Sequence, residues 1–223
     1  MNIEPAVSPV VSERPPTARK RRDAVATRAK ILRAATAEFS KQGFAGARGD
    51  RIARRAACSE RMVYYYFGSK VGLFREVLEA AYFALREAER SLALDQLAPS
   101  EALDRFCRFV WRYYLDHPEF IGLVNTENGQ QARHLRRSGR LDELVSPILG
   151  LLETLVERGV QLRVFRAGVD AEELYIAIAA QGYFYLSNQH TLSAVLGSDL
   201  RSPKRLERHW QTSADLIRRF VAG

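Results

Sequence analysis

The run RIARRAACSERMVYYYFGSK, Arg51 to Lys70, sets the architecture expected of the whole chain. Ile52, Ala53 and Ala56 fall at i, i+1 and i+4, one apolar stripe on a short helix. A break follows at Ala57-Cys58-Ser59. Ser59 is a good helix N-cap, because its hydroxyl accepts from one of the free N–H groups of the turn that it starts. Glu60, just inside, suits the positive end of the helix dipole. Met62, Val63 and Phe67 then make a second stripe, while Arg61, Tyr64, Tyr65 and Tyr66 leave donors on other faces. Two short helices joined by a three-residue break, the second polar and aromatic on its outer face, describe a helix-turn-helix. The plainer reading is two packed helices of an all-α core with surface arginines.

Charge favours the first reading. The 223 residues carry a net charge of +8. Residues 1–75 hold 16 Lys/Arg against 6 Asp/Glu, a net +10, and the remaining 18 against 20 leave −2. The basic excess therefore lies wholly in the part that holds the helix-turn-helix, as in a phosphate-binding head on a neutral body. A merely solvated basic surface is the simpler account, and membrane attachment a weaker rival. The longest apolar run, Leu174 to Leu186, contains Gln181 and is too short to span a bilayer.

Composition is that of an ordinary globular protein, 47% hydrophobic and 27% charged. Cys58 and Cys107 are too few and too badly placed for a disulfide framework. Cys107 lies on an apolar stripe. Cys58 reads as a small buried hydrophobe rather than an oxidant sensor. Met1 to Arg22 lacks the apolar centre of a signal peptide, so a cytoplasmic protein is expected. That segment holds Pro5, Pro9, Pro15 and Pro16, ends in Arg19-Lys20-Arg21-Arg22, and reads as a disordered basic arm over 1–22. Such an arm lies along phosphates or enters a minor groove, or simply solubilises the chain.

From Asp23 the pattern turns helical. Ile31, Ala34, Ala35 and Phe39 share a face and Gly43 stops the helix. A three-helix head is expected over roughly 24–39, 50–57 and 59–66, with a linking helix from about Lys70. Leu103, Phe106, Cys107, Val110, Trp111 and Tyr114 give a regular 3-4 repeat that ends at His117-Pro118. Phe120 to Leu135 reads as a helix, Arg133 to Arg140 as a loop or helix end, and Ser146-Pro147 as the start of a helix over 147–158. Asp170 with Glu173 fits a capping box that opens a nearly all-apolar helix from Ala171, and Ser202-Pro203 starts the last helix. An all-apolar helix must be covered on more than one side, by the core and by a partner chain. No alternating strand pattern appears in the sequence, so the expected class is all-α.

At this point the residues resemble the tetracycline-repressor (TetR) family of bacterial regulators. The likeness covers about residues 24–75: TRAKILRAATAEFSKQGF, the Ile52-Ala53 pair, Ala56, Ser59, Val63-Tyr64-Tyr65-Tyr66-Phe67, Ser69-Lys70 and Leu73-Phe74. It implies a DNA-binding head over 23–69 and a helical ligand-binding and dimerisation body over 70–223. It also implies pairing of two chains through the last two helices, and release from DNA when a small-molecule effector enters the body. Ser59, Glu60, Arg61 and Met62 occupy the start of the recognition helix, Tyr64 and Tyr65 the places of backbone-contacting aromatics, and Lys70 that of a phosphate-contacting lysine. Where the family has Thr or Ser before its second helix, this chain has Ala47-Arg48-Gly49, so Arg48 becomes a phosphate contact. The turn, commonly Gly-Val-Ser, is Ala57-Cys58-Ser59; a positive φ at Ala57 would store about 1 kcal/mol.

The expected function is therefore a sequence-specific transcriptional regulator, by default a repressor, bound as a homodimer to a near-palindromic operator in double-stranded DNA. Arg61 is the candidate for base readout, since its fork suits guanine O6 and N7. Trp111, Tyr114, Asn125, Asn128, Tyr183 and Asn188 are candidates to line a largely apolar effector cavity. A helical protein-interaction adaptor without sequence-specific DNA binding is the alternative. No cofactor, metal site or catalytic residue is expected: His117, His134, His190 and His209 are scattered, and HExxH, CxxC, GxSxG and P-loop patterns are absent from the sequence.

Overall fold

The computed structural model describes residues 18–222. Within them ten α-helices follow one another: α1 Ala18–Gly46, α2 Gly49–Ala56, α3 Glu60–Phe67, α4 Lys70–Arg90, α5 Pro99–Asp116, α6 Pro118–Gly129, α7 Leu141–Gln161, α8 Ala171–Ser187, α9 Gln189–Leu196 and α10 Pro203–Val221. Short 3-10 turns at Leu94–Gln96 and Leu135–Arg137 interrupt the connections. Among the described residues there is no strand, so the fold is all-α. Among the described residues, no helix is long and apolar enough to cross a membrane.

Buried side chains gather in two clusters. The first unites Ile31, Ala35 and Phe39 of α1, Ile52 and Ala56 of α2, Val63 and Phe67 of α3, and Leu73, Phe74, Val77 and Leu78 of α4. The second is built from α5, α7, α8 and α10 around Phe106, Leu152, Leu174 and Trp210. Two helices serve both clusters. α4 contributes Phe74 to the first and Leu85 to the second, while α6 contributes Leu123 to the first and Phe120 and Ile121 to the second. The approach of α6 to α1 is close enough that a Cβ on Gly122 would stand 2.4 Å from the carbonyl oxygen of Ser40. Only glycine fits there.

Several local expectations are corrected. The first helix starts at Ala18, so residues 18–22 of the supposed disordered arm are helical; residues 1–17 lie outside the described residues. It runs past Phe39 to Gly46 and is broken at Gly43, whose φ of 66° lies in the left-handed region that glycine enters freely. α6 ends at Gly129 rather than Leu135, because Gln131 and Ala132 both take φ of 56°. Pro147 does not start a helix but lies inside α7. Burial of Leu144 and Ile148 holds the first turns of α7 onto the core and outweighs the ladder bond that proline removes. The short helix α9 was unexpected, since it buries none of its residues and carries no apolar stripe.

Other signals act as read. Asp170 accepts from Glu173 N–H at 2.8 Å and opens α8, and Pro203 sits at the first turn of α10. Cys107 is buried, its thiol pushed up to about 12 by burial, whereas Cys58 is only half-buried.

Candidate nucleic-acid interface

The turn between α2 and α3 is made by Ala57, with φ 54° and ψ 46°. This left-handed residue ends α2: its N–H donates to Arg54 O, and the next N–H, of Cys58, donates to Ala53 O at 3.0 Å. Ser59 then turns extended, and its Oγ accepts from Met62 N–H at 3.3 Å, which starts α3. Ile52, Ala53 and Ala56 face Val63 and Phe67 across the angle, so burial fixes which side of α3 remains free. A further clasp comes from Glu38 of α1. It is 5% exposed, accepts from Arg48 N–H at 3.4 Å, and pairs with Arg51 at 3.7 Å.

The free side of α3 carries Arg61, exposed and without an ion pair among the described residues, and Tyr65, 78% exposed. Met62 is half-buried. Tyr66, read as an outer-face donor, instead packs against the first core cluster, edge-on to Tyr65 at 5.3 Å. Glu60 and Tyr64 lean over the start of α2: a Cβ on Gly49 would lie 2.3 Å from Glu60 Oε1 and 2.8 Å from Tyr64 Oη. Burial, with Glu60 adding to it, holds the Tyr64 hydroxyl above its ordinary value. Arg48 is exposed and its Nε donates to Asp50 at 2.9 Å, a bond that holds Asp50 below the usual carboxylate range. Lys70 donates to Ala45 O at 3.2 Å and lies 5.2 Å over the Phe44 ring. Arg54 and Arg55 of α2 extend the exposed positive edge beside α3. They were not singled out from the sequence, although they sit opposite the Ile52 and Ala56 stripe.

A helix that leaves Arg61 and Tyr65 free on a three-helix head matches a described family. The family model "Bacterial regulatory proteins, tetR family" matches residues 31–77, and "Tetracyclin repressor-like, C-terminal domain" matches residues 99–217. The chain belongs to the tetR family. The transcriptional repressor NicS of Pseudomonas putida is 42% identical over 186 residues, spanning 83% of this chain and 87% of that protein. The regulator RutR of Escherichia coli K12 is 30% identical over 192 residues, spanning 83% and 86%. Among solved structures, the putative transcriptional regulator SCO4942 of Streptomyces coelicolor superposes with a TM-score of 0.66 at 25% identity, covering 87% of this chain and 98% of that one. As a tetR-family protein the chain is a DNA-binding transcriptional regulator and not an enzyme, and the adaptor reading is set aside.

In the body of this tetR-family chain, the six residues expected to line one cavity fall in three places. Trp111 and Tyr114 of α5 are buried against α8, where Gly182 lets the helices close: its Cβ would stand 2.9 Å from the Tyr114 ring. A cavity of about 20 Å³ lies between Cys107, Trp111, Gln181 and Ser213, room for one water. Asn125 and Asn128 are exposed on α6 and meet Tyr183 of α8. Tyr183 Oη donates to Asn125 Oδ1 at 2.6 Å and accepts from Asn128 Nδ2 at 3.0 Å. Asn188 ends α8, where its Nδ2 donates to Phe184 O at 2.9 Å.

Two buried polar pairs are not marked as buried sites by the sequence reading. Arg86 and Glu89 are 5% and 3% exposed on the body side of α4, and Glu127 and His134 are 2% and 1% exposed between body and head. The signal for the first was present: Leu78, Tyr82, Leu85 and Glu89 follow one stripe, so Glu89 occupies an apolar position.

Proposed function

We propose that this protein is a repressor, as NicS is named, that binds a near-palindromic operator as a homodimer and leaves it when a small-molecule effector enters the body. The division at 23–69 and 70–223 expresses this reading: the first part grips DNA and the second pairs and gates the grips. The observation that carries it is Arg61, exposed on a helix whose other face is locked into the head core. A recognition helix needs such a face to enter the major groove.

In this reading Arg61 pairs with a guanine edge, and Ser59, Glu60 and Met62 bring the start of α3 to the bases. Arg48, Tyr64, Tyr65 and Lys70 fix register on phosphates without reading sequence. Arg48 and Lys70 would exchange their present partners, Asp50 and the Ala45 carbonyl, for phosphate oxygens. Trp111 and Tyr114 inside the body, Asn125, Asn128 and Tyr183 at the contact of α6 with α8, and Asn188 at the end of α8 are the candidate effector contacts in this reading, and the effector acts by its different affinity for the two shapes of the body.

Pairing is assigned to the two long helices at the end of the chain, α8 and α10. Ile176 and Phe184 lie two turns apart on α8, 49% and 60% exposed, and Leu216 of α10 is 50% exposed. Apolar side chains of this size are normally covered by a partner when they share one face.

Selection of bound sites from random DNA, followed by a metabolite screen for release, tests the reading. A single near-palindrome with half-sites about one helical turn apart or more is expected. Binding without sequence preference would overturn it.

A further inference from the structure

The loop between α6 and α7 is a local exception to the charge balance of the body. Residues 76–223 carry a net −2, yet Gln130 to Arg140 holds Arg133, Arg136, Arg137 and Arg140 and no acidic residue. Arg140 is occupied: it donates to Glu143 at 2.8 Å and lies 4.1 Å over the Phe83 ring. Arg133, Arg136 and Arg137 are exposed, and their side chains have no ion pair or hydrogen bond among the described residues. Elsewhere on the body Arg90, Arg105, Arg218 and Arg219 each face a carboxylate.

The three open arginines stand on a fixed frame. Gln131 and Ala132 follow one another with φ of 56°, a left-handed pair of non-glycine residues that strains the backbone. Such strain persists only where the surroundings over-determine it, and it gathers at functional segments. Here the buried Glu127 supplies the constraint. Its carboxylate accepts from the N–H groups of His134 and Leu135, and its backbone carbonyl accepts from Ala132 N–H at 3.0 Å. The turn Leu135–Arg137 then packs on α4, with Leu135 against the head core. Gln130, Gln131, Arg133 and Arg136 line one open hollow beside it.

Position singles out the partner. The Phe44 ring of α1 lies 4.7 Å from the His134 ring and 5.2 Å from Lys70 Nζ. A single side chain therefore separates the arginine loop from the start of α4, the part of the head next to α3. A duplex seated on α3 carries one phosphate charge for about every 1.7 Å of its axis. Guanidinium forks match phosphate oxygens in both charge and shape.

We propose that the loop between α6 and α7 is a second DNA contact, in which Arg133, Arg136 and Arg137 hold backbone phosphates beside those held by the head. The body then takes part in binding the duplex as well as in gating it. The proposal rests on the reading of α3 as the recognition helix and adds a contact outside the head.

Binding of the full chain across a salt series tests the contact, with an operator duplex selected from random DNA and a mixed-sequence duplex of equal length as probes. R133Q/R136Q/R137Q removes three exposed charges, so its circular dichroism and thermal midpoint should match wild type. Its plot of log affinity against log salt should flatten on both duplexes, by about one unit for each arginine that reaches a phosphate in each bound protomer. The selected sequence should stay the same. Hydroxyl-radical footprinting should show a few backbone positions deprotected, while those around the selected bases remain covered. R133K/R136K/R137K restores the charge and should recover most of the slope.

A glutamine variant with the wild-type slope and footprint overturns the contact, and leaves the operator reading standing if wild type still selects a near-palindrome. A lysine variant as weak as the glutamine one also overturns it, because shape and not charge would then matter. So does a glutamine variant that keeps its hold on DNA and loses binding of inorganic phosphate or of an acidic peptide, since the loop then has another occupant. If wild type binds DNA without preference and the glutamine variant still flattens the slope, the loop contact stands and the operator reading falls.

Discussion

His134 Nδ1 lies 2.7 Å from Glu127 Oε2, and both side chains are sealed where the body meets the head. Glu127 also accepts from the backbone N–H groups of His134 and Leu135, at 2.8 and 2.9 Å, so one carboxylate organises the chain after α6. The imidazole in turn packs against Phe44 of α1 and Phe74 of α4, with ring centres 4.7 and 4.9 Å away. Phe44 carries Lys70 on its face. A contiguous set of contacts thus leads from α6 to the start of α4, next to the recognition helix.

Glu127→Ala leaves a buried imidazole and two backbone donors without their acceptor. The expected loss is about 3 kcal/mol, read as a fall in the midpoint of thermal unfolding. Glu127→Gln keeps an acceptor oxygen and should lose about 1 kcal/mol. Equal losses for the two variants would mean that the hydrogen bonds contribute little.

Ala57→Gly relieves the left-handed strain at the turn between α2 and α3. Stabilisation of about 0.5–1 kcal/mol is expected, a rise of about 2 °C for a chain of this size. Differential scanning calorimetry checks it, and a lower midpoint would show that the freedom glycine gains in the unfolded chain outweighs the strain.

Arg61→Ala should relax preference at one base pair of each half-site, costing about 1–3 kcal/mol on the best operator and little on random DNA. A randomised-site selection compares the two proteins, and identical preferred sites would remove Arg61 from base readout.

Lys70→Ala should weaken binding to all sequences alike and reduce the salt slope by about one unit. Gel shifts across a salt series measure the slope. A loss confined to a single operator would contradict the phosphate role.

Phe184→Glu places a charge on the exposed face of α8. The variant should sediment as a monomer and lose most operator affinity, because a single head retains half of the contacts. A dimer that survives this change would move the interface away from α8.

The head was legible because local signals there agree. Ile52, Ala56, Val63 and Phe67 are apolar at helical spacing, Ser59 is a cap, and the family's residue types follow in order. The body was less legible for a physical reason: its polar groups are placed by tertiary packing. Glu38, Arg86, Glu127 and His134 look like surface residues in sequence, and only the arrival of another helix buries them. Tyr66 shows the same effect on α3, where an apparent outer-face donor is drawn onto the core. Pro147 and α9 misled in opposite directions, one a start signal overridden by burial, the other a helix that buries nothing.

The contact of Gly122 with the Ser40 carbonyl has a bearing on protein engineering. A chimaera that grafts this DNA reader onto a foreign sensor at residue 69 would separate α1 from the helix shaped to lie against it. Any side chain in place of Gly122 would force the two apart, whatever the fit of the new parts elsewhere. The transplant that keeps its regulation is one that carries α6 along with the reader.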